Sequence, residues 1–276
     1  MSKVLTWQDC PELGQMTAEY LAPYIVGFVK IRQPAQDDAF LAGSGTLIQV
    51  EERFGILTAD HVIAELPRSG QLGLVLPKGP IPQLDRHTVT ADHVKFVQVA
   101  PASFSSLGPD LGYLLLPEPE RLKLEVHKIF YSLSKRRAEM LAAPRPIDYG
   151  GWCITGMVDE WTRDLAPKRG YRRVKGFHGF CGLGVVNSER SDDHIDYLNF
   201  ETKFDEAYEG PGNFQGVSGG GLWQVIYEER NGIISIRDAL LSGVVFYQTE
   251  IQSGITLSCH GRRSIYQNVH DSIGHM

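Results

Sequence analysis

Short apolar runs of five to eight residues, bounded by turn-forming residues, recur along this chain from Tyr24 to Cys259. No long stretch carries helical periodicity, and 29 glycines and 15 prolines are spread over the 276 residues. Segments this short and this often interrupted favour a β-rich architecture over a helical bundle. Apolar residues make up 42% of the chain and charged residues 22%, enough for a substantial core and too apolar for a disordered chain.

The runs fall into two sets. Tyr24–Ile31, Gly43–Val50, Phe54–Thr58, Leu72–Leu76, Val94–Val99 and Leu111–Leu116 read as six strands, with Glu51-Glu52-Arg53 closing a hairpin. Six short strands suggest a small closed barrel or sandwich. Pro117 and Pro119 end this set, and the charged stretch to Gly150 reads as a connection with some helix. A second set of seven follows: Trp152–Gly156, Val174–His178, Leu183–Asn187, Ile195–Phe200, Gly221–Tyr227, Leu241–Tyr247 and Gly254–Cys259. Ile265, Val269 and Ile273 then recur every four residues, the apolar face of a terminal helix. The expected organisation is an N-terminal extension (1–20) with a short helix near Thr17–Tyr20, a first barrel (21–116), a connection (117–150), a second barrel (151–261) and a helical tail (262–276).

The formal net charge of −6 offers no basic face for nucleic acid. The basic stretches Lys135-Arg136-Arg137 and Lys168–Lys175 read as solvated loops. Cys10, Cys153, Cys181 and Cys259 lack any CxxC spacing, so reduced thiols are expected rather than metal ligands. The first nine residues lack the pattern of a signal peptide, and no run reaches membrane-spanning length. A cytoplasmic protein without cofactor, metal, nucleic-acid or membrane partner is the expectation.

Three stretches carry chemistry. Gly55-Ile-Leu-Thr-Ala-Asp-His-Val62 places His61 just beyond a strand. Pro109-Asp-Leu-Gly-Tyr-Leu-Leu-Leu116 sets Asp110 immediately before one, and Gly216-Val-Ser-Gly-Gly-Gly-Leu222 holds Ser218 in a glycine-lined turn. A serine hydroxyl needs a base to become a nucleophile, and an imidazole titrates in the right range. A carboxylate fixes the imidazole tautomer, and glycines leave backbone N–H groups free to face an oxyanion.

These motifs resemble those of the trypsin-like serine peptidases, in the same order His, Asp, Ser and at separations of 49 and 108 residues. The resemblance spans roughly Tyr24 to Ile273. It implies an all-β fold of two six-stranded antiparallel barrels, and hydrolysis of peptide bonds in a protein or peptide substrate through an acyl-enzyme. His61, Asp110 and Ser218 would be the triad, and the N–H groups of Gly216 and Ser218 the oxyanion hole. The base of the primary pocket would fall at Gly212 and its wall at Phe246-Tyr247-Gln248. With no acid at Gly212, preference for Lys or Arg is not implied. A small or apolar residue is expected instead, unless Glu209 enters the pocket.

Val217 replaces the family's frequent aspartate before the serine, which argues against activation by N-terminal cleavage. Gly216-Val-Ser-Gly-Gly220 also fits the nucleophile elbow of α/β-hydrolases, but only 58 residues follow Ser218 to hold that fold's acid and histidine. The stronger alternative is a latent or inactive trypsin-like domain that binds protein or awaits a regulatory partner.

Overall fold

The computed structural model describes residues 4–5, 12–31, 39–78, 84–165, 174–192, 194–202, 210–251 and 254–276. Cys10, Glu209 and most of the basic stretch Lys168–Lys175 lie outside the described residues. In chain order the elements begin with β1 (Val4–Leu5), α1 (Leu13–Leu21), β2 (Ile25–Ile31), β3 (Ala39–Val50) and β4 (Arg53–Thr58). Then come α2 (Asp60–Glu65), β5 (Gln71–Pro77), β6 (Leu84–Thr90), β7 (Lys95–Ala100) and β8 (Leu111–Leu115). The connection holds α3 (Glu118–Glu125), β9 (Tyr131–Ser132) and α4 (Leu133–Ala142). The second half contains β10 (Gly151–Met157), β11 (Arg163–Leu165), β12 (Val174–Gly176), β13 (Gly179–Asp192), β14 (Ile195–Thr202), β15 (Gly221–Arg230), β16 (Ile233–Ile251) and β17 (Gly254–His260). A wide π-turn, Ser264–Val269, runs into α5 (His270–Gly274).

Two antiparallel sheets result. The first has the order β6-β5-β2-β3-β4-β8-β7, with β9 added to β3 in parallel. It holds two strands beyond the six expected. β6 carries Asp85, Arg86 and His87, which hide its strand character, and β9 is too short to leave a pattern. The second has the order β1-β15-β10-β13-β14-β17-β16, and β15 also pairs with β16, so six strands pair in a ring. β11 and β12 form a small separate ribbon.

Turn chemistry sets the registers. Glu51, at φ +50°, closes the β3–β4 hairpin. Asn231 and Gly232, at φ +55° and +76°, make the tight turn that feeds the long β15–β16 pairing. Positive φ at both central residues matches the right-handed twist of the strands, and Asn-Gly adopts it at least cost.

The sheets meet along β2, β3 and β10, where Gly27 lies against Met157 and Gly156 against Ser44. Beside this seam Trp223, Tyr131 and Tyr266 are buried with Leu13, Leu21 and Leu241. Trp223 Nε1 donates to Thr155 Oγ1 at 2.9 Å and Tyr266 Oη to Leu241 O at 2.9 Å, so the aromatic core leaves these polar atoms paired. Ile265, Val269 and Ile273 are buried as their spacing predicts, although most of the turn holding them is π rather than α. Among the described residues no helix is long and apolar enough to cross a membrane.

Candidate active site

β4 ends at Thr58, whose hydroxyl donates to Ser44 O at 2.7 Å. The chain then turns into α2 and presents His61 in its first turn. Asp110, immediately before β8, is 3% exposed and accepts two hydrogen bonds from His61. Its Oδ1 takes the backbone N–H at 2.9 Å and its Oδ2 meets ring Nδ1 at 2.5 Å. A carboxylate can only accept, so the proton of a neutral His61 sits on Nδ1 and Nε2 is left as a free base.

On its other side Asp110 donates its backbone N–H to His260 Nε2 at 3.0 Å. His260 is fully buried, stacked on Phe246 with ring centroids 4.6 Å apart and tilted against Tyr197. Burial pushes its pKa down to about 4, so the imidazole is neutral near pH 7. Nothing in the sequence tied His260 to Asp110, 150 residues away.

Ser218 sits in a turn bracketed by Gly216 at φ +93° and Gly219 at φ +87°. Ser44 fixes this turn: its N–H donates to Ser218 O at 2.8 Å and its hydroxyl to Gly216 O at 2.6 Å. Gly43 explains the close approach, since a Cβ there would lie 2.5 Å from Val62 Cγ2 and 3.1 Å from Ser218 O. The residue after His61 and the carbonyl of Ser218 thus pack against the same glycine. The Ser218 hydroxyl itself makes no hydrogen bond among the described residues.

Gln215 O accepts from Asp159 N–H at 2.9 Å. A trans peptide points its N–H opposite its carbonyl, so the Gly216 N–H faces away from Asp159. Neither that group nor the Ser218 N–H donates to a described acceptor, whereas Val217 N–H closes the turn onto Phe214 O at 3.0 Å. Both N–H groups are thus without an acceptor among the described residues, and free donors next to a nucleophile can receive an oxyanion.

A cleft of about 490 Å³ adjoins the serine, lined by Asn213, Phe214, Gln215, Ser218, Tyr247, Gln248 and Thr249. Tyr247 and Gln248, two of the three residues named for the pocket wall, line this cleft. Gly212 is exposed and outside this lining, nearest to Glu160, and Phe246 is turned inward onto His260. Sequence reasoning missed Ser44, Asp60, Asp159 and His260. Of these, Ser44 lay in the strand Gly43–Val50 and Asp60 in the stretch Gly55–Val62, both already singled out.

No family model matches the chain, and no curated protein sequence does. Among solved structures, it is similar to a chain from a study of the coupled folding and binding of the intrinsically disordered Sesbania mosaic virus VPg protein. That match has 12% identity over 90% of each chain and a TM-score of 0.44. It is also similar to Rv3671c from M. tuberculosis H37Rv, solved as an inactive serine-to-alanine mutant. There the identity is 16% over 97% of this chain and 95% of that one, with a TM-score of 0.48.

Proposed function

We propose that this chain is a trypsin-like serine endopeptidase, its two sheets forming the two barrels of that fold. Ser218 is the nucleophile, His61 the general base and then acid, and Asp110 the group that orients His61. The observation that carries the reading is the double hydrogen bond from His61 to Asp110, which leaves Nε2 as the free base.

In this mechanism His61 Nε2 takes the Ser218 proton as Oγ attacks the scissile carbonyl, and the negative charge develops on the carbonyl oxygen between the N–H groups of Gly216 and Ser218. His61 returns the proton to the leaving amine. Water repeats the sequence on the acyl-enzyme and releases the second product.

The second reading is a latent or inactive domain, favoured by the Ser218 hydroxyl having no hydrogen bond to His61. Against it stands the Gln215–Gly216 peptide, whose carbonyl is held on Asp159 N–H and whose N–H has no acceptor among the described residues. A tagged fluorophosphonate, applied beside Ser218→Ala and His61→Ala controls and followed by mass spectrometry, separates the two. An adduct on Ser218 that both variants lose supports the peptidase; no adduct on a folded sample supports the latent domain.

A further inference from the structure

The described lining of the cleft beside Ser218 carries no charged side chain, and two carboxamides in it are held in one orientation. Gln248 Oε1 accepts from Phe214 N–H at 2.9 Å, and Asn213 Oδ1 accepts from Gln215 N–H at 2.8 Å. A backbone N–H only donates, so each amide must turn its oxygen to the backbone and its NH₂ away from it. Among the described residues neither NH₂ has an acceptor.

Three kinds of incoming side chain meet this cleft differently. A Lys, Arg, Asp or Glu side chain would shed water with no opposite charge among the lining residues. A purely apolar one would cover the NH₂ of Gln248 and leave it unpaired. A carboxamide offers its oxygen to that NH₂, while Tyr247 and Phe214, which also line the cleft, supply apolar surface for its stem.

We infer that the cleft recognises a carboxamide side chain, Gln or Asn, at the residue preceding the scissile bond, with Gln248 as the specificity-determining residue and Asn213 at the rim. The inference rests on Ser218 being the acylated serine, which makes this cleft the primary pocket. It replaces the small or apolar preference expected from Gly212.

Two measurements test it. In the first, product peptides differing only in a C-terminal Gln, Leu, Glu or Arg are titrated calorimetrically into Ser218→Ala. The Gln peptide is expected to bind about tenfold more tightly than the Leu peptide. In the second, the same sequences are extended into substrates for the wild type, Gln248→Met and Gln248→Glu. Gln248→Glu keeps the acceptor for Phe214 N–H, removes the NH₂ donor and adds a negative charge, so it should also gain on Arg. Both variants should lose the Gln preference, and Gln248→Met should gain on Leu.

Equal binding of the four peptides, or tighter binding of Leu or Arg, overturns the pocket assignment. If Ser218 takes fluorophosphonate but Leu substrates outrun Gln substrates, the pocket assignment fails alone. If Ser218 stays unlabelled while the Gln peptide still binds best, the peptidase reading fails and the recognition stands.

Discussion

Asp110 is held from both sides: its carboxylate receives the ring and backbone N–H of His61, and its own N–H is received by His260 Nε2 at 3.0 Å. The second bond needs His260 neutral, which its burial ensures. His260→Phe keeps an aromatic ring on Phe246 but strands a buried N–H. The expected cost is about 1–3 kcal/mol of stability. Labelling of Ser218 should slow as well, because Asp110 is then held from the His61 side alone. Urea unfolding and the fluorophosphonate rate, measured on one preparation, check both; unchanged values would remove His260 from the site's support.

The same imidazole gives stability a pH dependence. Its folded pKa of about 4 lies below the ordinary 6.5, so the unfolded chain binds a proton that the folded chain refuses. Stability is full above pH 6.5, falls as pH drops towards 4 and flattens below that, losing roughly 3 kcal/mol from this group. Unfolding free energies at pH 7 and pH 4 should therefore differ by about that much less in His260→Phe than in the wild type.

Gly216 tests the oxyanion donors. At φ +93° a side chain is strained, and a Cβ would also lie 3.0 Å from Met157 O and against Leu41. Gly216→Ala is expected to rotate the turn and withdraw its N–H. The acylation rate should drop about 10²–10³-fold, with the circular dichroism spectrum unchanged. An acylation rate within a few-fold of wild type would show that the donor is not used.

How far the sequence spoke depends on the range of each interaction. Strands with apolar runs, such as Phe54–Thr58 and Leu111–Leu115, were legible because burial leaves a local pattern. Asn231-Gly232 was a readable hairpin signal that went unused, so the length of β15 and β16 was underestimated. β6 was hidden by its charged residues. The His61 and Asp110 motifs were legible as motifs. Their bonding to each other is a tertiary fact, as are the grip of Ser44 on the Ser218 turn and the support from His260. Such contacts join residues up to 172 positions apart, as Ser44 and Gly216 are, and leave no local period to read. The orientation of Gln248 is a further case, since it depends on which backbone group the amide meets.

Asp60, next to His61, is a second buried carboxylate with a different task. Its Oδ2 accepts from Gln98 Nε2 at 2.6 Å and from Ala102 N–H at 3.0 Å, pinning the start of the loop that leads to Asp110. Phe104, in that loop, has its ring 6.4 Å from His61. Asp60→Ala removes the oxygen that accepts both bonds, at an expected cost of about 1–3 kcal/mol. Limited proteolysis should then nick the chain first between residues 101 and 109. If cleavage begins elsewhere at the wild-type rate, Asp60 does not anchor this loop.

Asp196 does for the C-terminus what Asp110 does for His61. The first turn beyond β17 has no side-chain cap of its own. Asp196, reaching from β14, accepts from Arg263 N–H at 2.9 Å, Ser264 N–H at 2.7 Å and the Ser264 hydroxyl at 2.6 Å. Hydrogen bonds to a charged acceptor are the stronger kind, so Asp196→Ala should cost about 3 kcal/mol. Asp196→Asn, which keeps one acceptor oxygen, should cost less. The loss should be local at first, because Ile265, Val269 and Ile273 hold the segment to the core only while its first turn is closed. Amide exchange should quicken over 262–274 before it does in β15 or β16. Uniform quickening across the chain would mean instead that Asp196 stabilises β14 and the ring of strands rather than the terminal turn.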